Sequence, residues 1–185
     1  MNTKSKRVLV PLAPGCEELE AVTIIDLLRR AGIEVVVAGL VDGVITASRG
    51  VRLLPDLSLT EALGQEFDMI VLPGGLPGSD HLAADQRITD VLRKMNESGR
   101  FIGAVCAAPK VLVRSGILNG KMATAYPGVL QAEGHQAISG DAVIRDGRVI
   151  TSRSAGTAMD FALELIAALC GGKVRQKVEH SLARP

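Results

Sequence analysis

The sequence predicts a doubly wound α/β fold, a mostly parallel sheet with helices on both faces, built as a single domain over residues 1–185. Three observations carry that expectation. Short β-branched runs recur along the chain and are apolar throughout rather than at alternate positions, the pattern of strands buried on both faces. Between them lie segments with apolar residues at helical spacing, so strand and helix alternate as a parallel sheet requires. Hydrophobic residues make up 47% of the chain but aromatics only 2%, with no Trp, which suits layers packed from Val, Leu, Ile and Ala.

Residues 7–13 (RVLVPLA) read as a first buried strand, broken by Pro14-Gly15. Residues 17–31 read as a helix: acids crowd the first turn, Arg29 and Arg30 occupy the last, and Gly32 closes it. Each of these choices suits the helix dipole or the C-cap. Residues 33–40 (IEVVVAGL) form a second strand, and 43–54 a short hairpin punctuated by Gly, Ser and Arg. Residues 68–72 (DMIVL) are a third buried strand running into Pro73-Gly74-Gly75. A helix carrying Ile88, Val91, Leu92 and Met95 on one face ends near Gly99. Strand 101–105 follows, then a helix from beyond Cys106 to Gly116, and a short strand at 122–125. Residues 142–144 and 149–151 flank Asp146-Gly147, a good hairpin turn. A helix over 158–170 has Ala158, Phe161, Ala162, Leu165, Ile166 and Leu169 on its apolar face and stops at Gly171-Gly172.

Composition narrows the function. Lys plus Arg number 21 against 20 Asp plus Glu, and no basic stripe stands out, so nucleic-acid binding has little support. The polar N-terminus lacks a signal-peptide pattern and no apolar run reaches membrane-spanning length, so a cytoplasmic protein with no membrane partner is expected. Three cysteines without close pairing argue for a reducing compartment rather than a disulfide framework. His81, His135 and His180 are scattered, Glu133 beside His135 reads as a solvated loop pair, and no metal is assigned. No G-x-G-x-x-G follows the first strand, and Gly116–Lys121 is one residue short of a phosphate loop, so no cofactor is expected.

The chemistry should sit at the carboxyl ends of the strands, where open α/β sheets bind ligands. Cys106 ends the run 101–105 and precedes a helix, the geometry of a nucleophile elbow. Backbone N–H groups and a helix dipole there favour thiolate, so a lowered thiol pKa is expected. Gly74 and Gly75 free the backbone of the neighbouring loop to point an N–H into the site, where it and the Ala107 amide would cradle an oxyanion. Glu17 and Glu20 share a helix face while Glu18 points elsewhere; a carboxyl buried beside sulfur would stay protonated and shuttle protons, and spacing alone leaves both Glu17 and Glu20 open. Cys16 lies on the same rim, within conceivable reach of an oxidised Cys106, and Cys170 reads as packing.

Ala13–Glu20 (APGCEELE), Leu72–Gly75 (LPGG), Ala104–Pro109 (AVCAAP) and Thr151–Thr157 (TSRSAGT), in this order, resemble the ThiJ/PfpI superfamily and, within it, the DJ-one/YajL-like branch. The resemblance implies a flavodoxin-like domain that forms a homodimer, with Cys106 as an easily oxidised nucleophile and Glu20 as its protonated carboxyl partner. It puts oxyanion-binding amides at Gly75 and Ala107, pocket-closing residues at Ser152 and Ser154, and a partner-chain arginine at Arg49, with Glu17 at the same interface. Where some members have a histidine before a proline, this chain has Tyr126-Pro127, and a tyrosine hydroxyl suits substrate orientation better than base work. Ala107 stands where protease-like members have histidine, which argues against a Cys–His peptidase. The expected function is a cofactor-independent glyoxalase or deglycase acting on small dicarbonyls or glycated protein. A redox sensor or stress chaperone working through Cys106 oxidation is the alternative.

Overall fold

Strand order places the site before any side chain does. The structure, a computed structural model, describes residues 5–184. Its elements run β1 (Arg7–Leu12), α1 (Glu18–Arg30), β2 (Glu34–Gly39), β3 (Ile45–Thr46), β4 (Arg52–Leu53), β5 (Leu57–Ser58), α2 (Leu59–Ala62), β6 (Met69–Leu72), α3 (Gly78–Ala84), α4 (Gln86–Glu97), β7 (Phe101–Val105), α5 (Pro109–Arg114), α6 (Val129–Ala132), β8 (Val143–Asp146), β9 (Val149–Ser152), α7 (Ala158–Cys170) and α8 (Gly172–Ser181). A seven-stranded sheet has the order β5-β2-β1-β6-β7-β9-β8, and β3 pairs with β4 in a separate hairpin. Every ladder of the large sheet is parallel except β8 with β9. The chain winds outward from β1 in one direction and from β6 in the other. The crevice above the β1–β6 junction is therefore the topological switch point at which such sheets bind ligands.

The strand period of two sorts each buried strand between two cores. Val8, Val10 and Leu12 of β1, Met69 and Val71 of β6, and Val105 of β7 face one layer. Leu9, Ile70, Leu72, Ile102 and Ala104 face the other. The first layer is closed by Ile24 and Leu28 of α1 with Phe161, Leu165 and Ile166 of α7, the second by Ile88, Leu92 and Met95 of α4 with Val111 and Leu112 of α5. Apolar strands with no polar alternation are thus explained by helices on both faces.

Some local expectations fail. The strand expected at 122–125 is only an isolated bridge between Ala123 and Ile138. Its amides go instead to side chains and loops; Thr124 N–H, for one, donates to Thr151 Oγ1 at 3.0 Å. Gly171 does end α7, but α8 begins at once; its largely polar sequence buries only Val178 and so carries no strong helical stripe. α3 begins immediately after Pro77, in a stretch whose glycines and proline read as loop.

Candidate active site

Cys106 adopts φ 62°, a left-handed conformation rare for a residue with a Cβ. Three main-chain hydrogen bonds hold it there. Its N–H donates to the Ser152 carbonyl at 2.9 Å, its carbonyl accepts from Tyr126 N–H at 2.9 Å, and Ala108 N–H closes the turn on Val105 at 3.0 Å. Backbone strain persists only when surroundings over-determine it in this way. The result is a half-buried sulfur at the end of β7, where the backbone N–H groups of Ala107 and Gly75 pull the thiol pKa down.

Glu20 comes to the sulfur from the first turn of α1 and is fully buried. Its Oε2 accepts the Gly74 N–H at 2.8 Å, and the side chain lies beside Cys106 across Gly74. Among the described residues Oε1 meets no hydrogen-bonding nitrogen or oxygen. A buried carboxyl oxygen with no donor is cheaper protonated, with its O–H directed at sulfur. Burial pushes the Glu20 carboxyl up to about 7.

The expected lowering of the thiol pKa is corrected here. Burial first, and then the Glu20 charge, push Cys106 up to about 12, against the pull of the Ala107 and Gly75 amides. The two groups titrate as a pair. Near neutral pH the pair gives up one proton and shares the one that remains. When that proton rests on Glu20, the thiolate receives hydrogen bonds from Glu20, Gly75 and Ala107. Burial and the neighbouring Glu20 charge together, not the turn and dipole alone, govern this sulfur.

The other acids separate cleanly. Glu17 is half-buried, and its Oε2 accepts from Ser48 Oγ at 2.7 Å, away from the sulfur. Glu18 points elsewhere as spacing requires, but it has work that spacing did not reveal. It is buried and accepts from Ser48 Oγ at 3.0 Å, Arg49 N–H at 2.9 Å and Val51 N–H at 3.3 Å. Burial opposes its charge, yet these hydrogen bonds hold its carboxyl below the usual range. Glu18 therefore fastens the β3–β4 hairpin to α1 and leaves the Arg49 side chain exposed. No local pattern signals such a long-range link.

Gly74 serves Glu20 rather than an oxyanion, since its N–H is committed to that carboxylate. A Cβ on it would lie 2.8 Å from both Cys106 Cβ and Glu20 Oε2, so only glycine lets the pair meet. Gly75 has φ +88°, and a Cβ there would lie 2.4 Å from Glu17 N and 2.6 Å from Gly15 O. Those are backbone atoms that cannot swing aside. Gly75→Ala is expected to destabilise the fold by about 3 kcal/mol, read from the urea midpoint; a change under about 1 kcal/mol would show that the loop yields.

Ser152 is buried, with Oγ bonded to Ala142 O at 3.0 Å and Thr157 Oγ1 at 2.7 Å, so it braces the wall instead of facing the pocket. Ser154 is half-buried, and its N–H donates to Thr157 Oγ1 at 3.1 Å. Tyr126 is 54% exposed, and its backbone is tied to Cys106. Cys16 is buried, and burial followed by the Glu18 charge pushes it up to about 11. Cys170 lies half-buried at the end of α7. His81 Nδ1 bonds Pro14 O and His135 Nε2 bonds Lys121 O, both at 3.0 Å, while Glu133 pairs with Arg114 rather than His135. Among the described residues no cluster of three or more His, Cys, Asp or Glu is placed to hold a metal ion, and no helix is long and apolar enough to cross a membrane.

The whole chain, and not the site alone, is similar to known proteins. The DJ-1/PfpI family profile matches residues 6–168. The chain belongs to the DJ-1/PfpI family. Among members of that family, it is 43% identical to Protein dj-1beta of Drosophila melanogaster over 181 residues, covering 96% of this chain and 97% of that protein. The crystal structure of Drosophila DJ-1beta superposes with a TM-score of 0.94 over 98% of this chain and 100% of that one, at 42% identity. A Toxoplasma gondii structure titled "DJ-1, oxidized" gives 0.92 at 36% identity over 96% and 98% of the two chains. A protein of Caenorhabditis elegans named glutathione-independent glyoxalase DJR-1.2 is 36% identical over 91% of this chain and 90% of its own length. The flavodoxin-like fold expected from the resemblance is the fold this DJ-1/PfpI member has.

Proposed function

We propose that this protein converts small α-dicarbonyls such as methylglyoxal to hydroxy acids with no cofactor, using Cys106 as nucleophile. The observation that carries the reading is the Glu20 Oε1, buried without a nitrogen or oxygen donor beside a sulfur that two amides also face. With the shared proton on Glu20, the thiolate adds to the aldehyde carbon, the carbonyl electron pair moves to oxygen, and that oxygen takes the Glu20 proton. Amides of Gly75 and Ala107 are the donors at hand for the negative charge. The Glu20 carboxylate then removes the hemithioacetal C–H proton, and reprotonation of the neighbouring carbon leaves a thioester of the hydroxy acid. Water cleaves the thioester, releasing the acid and the sulfur. Tyr126 is exposed, and its hydroxyl suits orientation of the keto oxygen. The glyoxalase name of the worm relative supports the reading. Addition to glycated amines or thiols, with release of repaired protein, draws on the same first step.

Purified protein given methylglyoxal without added thiol should form lactate in proportion to enzyme; no lactate above the buffer rate overturns the proposal.

A redox role is favoured by one further contrast. Cys106 is half-buried among hydrogen-bond donors, whereas Cys16 is sealed in the core. Dilute hydrogen peroxide should add oxygen at Cys106 first, as peptide mass spectrometry would read; equal oxidation of Cys16 and Cys170 argues against a sensor. A homodimer is also proposed. Leu19 and Val22 of α1 are exposed beside Val51 of the hairpin that Glu18 fastens, and the free Arg49 stands at that face.

A further inference from the structure

Both segments that hydrogen-bond the Cys106 backbone go on to wall a single cavity. Tyr126 N–H caps the Cys106 carbonyl, and Ser152 O takes the Cys106 N–H. From these two anchors the chain continues into Tyr126-Pro127 on one side and Arg153 on the other. Together with Leu130, Ile138 and Ser139 they enclose about 350 Å³. The volume lies in the range of small-ligand pockets and far exceeds what methylglyoxal fills. Its floor is apolar and its polar rim has one charge, the Arg153 guanidinium.

That guanidinium is held but not neutralised. Arg153 N–H donates to Ala142 O at 3.0 Å, and Nη1 donates to Gly140 O at 2.9 Å. One of five donors is thereby used. Among the described residues no carboxylate pairs with it; the nearby Asp141 carboxylate takes Ser139 Oγ at 2.8 Å instead. An exposed guanidinium anchored by one hydrogen bond, with a free edge over an apolar floor, matches a short aliphatic chain ending in carboxylate, which it would bind by two parallel hydrogen bonds.

We propose that this cavity is a substrate subsite for the anionic tail of a dicarbonyl larger than methylglyoxal, with Arg153 reading the carboxylate. The inference rests on the dicarbonyl reading of Cys106. The probe is 4,5-dioxopentanoate, which has the ketoaldehyde head of methylglyoxal and a two-methylene tail ending in carboxylate. Addition of water across the rearrangement yields 2-hydroxyglutarate from it, as it yields lactate from methylglyoxal.

Wild-type protein should show kcat/KM for 4,5-dioxopentanoate above that for methylglyoxal by about tenfold or more, the worth of one charge-assisted hydrogen bond. Arg153→Gln should bring the ratio of the two substrates to about one, mainly through KM, and Arg153→Lys should restore part of it. A structural role for Arg153 would lower both rates and keep the ratio. Turnover of methylglyoxal with no preference for the tailed substrate overturns the subsite alone, as does an unchanged ratio in Arg153→Gln. No turnover of either substrate by wild type overturns the dicarbonyl reading and the subsite with it.

Discussion

Cys106→Ser is expected to abolish the proposed formation of lactate from methylglyoxal, a loss of about three orders of magnitude or more in kcat/KM. Serine keeps the elbow, since the three main-chain hydrogen bonds that hold φ at 62° involve no side chain. Thermal stability should therefore stay within about 1 kcal/mol of wild type. What disappears is an ionisable, polarisable nucleophile: a carboxylate with its pKa near 7 leaves a serine hydroxyl protonated. The check is lactate assayed at equal folded protein, with the melting curve as control. A variant keeping more than a tenth of the wild-type rate would move the chemistry to another group, and Cys16 is closed off by its burial.

Glu20→Gln changes rate and stability in opposite directions. Wild-type activity should rise with pH through a midpoint near 7 and then level off, because below it both members of the pair are protonated and no thiolate forms. Glutamine keeps the acceptor for Gly74 N–H and still offers a donor to sulfur, but it supplies no proton to move and no charge. The step near 7 should vanish, and the thiol, still raised by burial, should titrate alone at higher pH. At pH 7 a loss of about a hundredfold in kcat/KM is expected. Stability follows the other sign. The folded Glu20 pKa lies above its unfolded value, so the native state holds more protons between about 4.5 and 7, and stability falls as pH rises through that window. Glu20→Gln removes that loss and should stabilise the fold by about 3 kcal/mol at pH 8, with the difference shrinking to nothing by pH 4. Urea midpoints at the two pH values and a pH–rate profile measure both halves. A Gln variant that keeps the step near 7 would assign that titration to another group.

Much of the site was legible because its parts stand at strand ends. A thiol after strand 101–105, paired glycines after 68–72 and acids after 7–13 must meet at one edge once the strands lie parallel. The hairpins at 43–54 and 142–151 were legible from turn chemistry, and the main helices from their apolar stripes. The choice among Glu17, Glu18 and Glu20 was not, because helix spacing reports a shared face and not what that face meets. Ser152 looked available to a ligand, yet its hydroxyl is spent on Thr157 and Ala142. α8 lay hidden because a helix that buries one valine leaves almost no hydrophobic signature.

The thiol shows the same division. Residues near Cys106 in sequence argue for an easily ionised sulfur through turn amides and a dipole. Glu20 lies 86 positions away along the chain, and folding both buries the sulfur and brings that charge against it, which together reverse the balance. The linear sequence by itself determined the parallel α/β architecture, the sheet edge at which the loops gather and the cysteine that ends strand 101–105, because periodicity, turn residues and a strand-end cysteine are local properties. Tertiary structure alone decided which acid meets the sulfur, which hydroxyls are spent, where Arg153 stands and where the proton resides. Those depend on desolvation and on distances between groups far apart in the chain, and both arise only when the layers close.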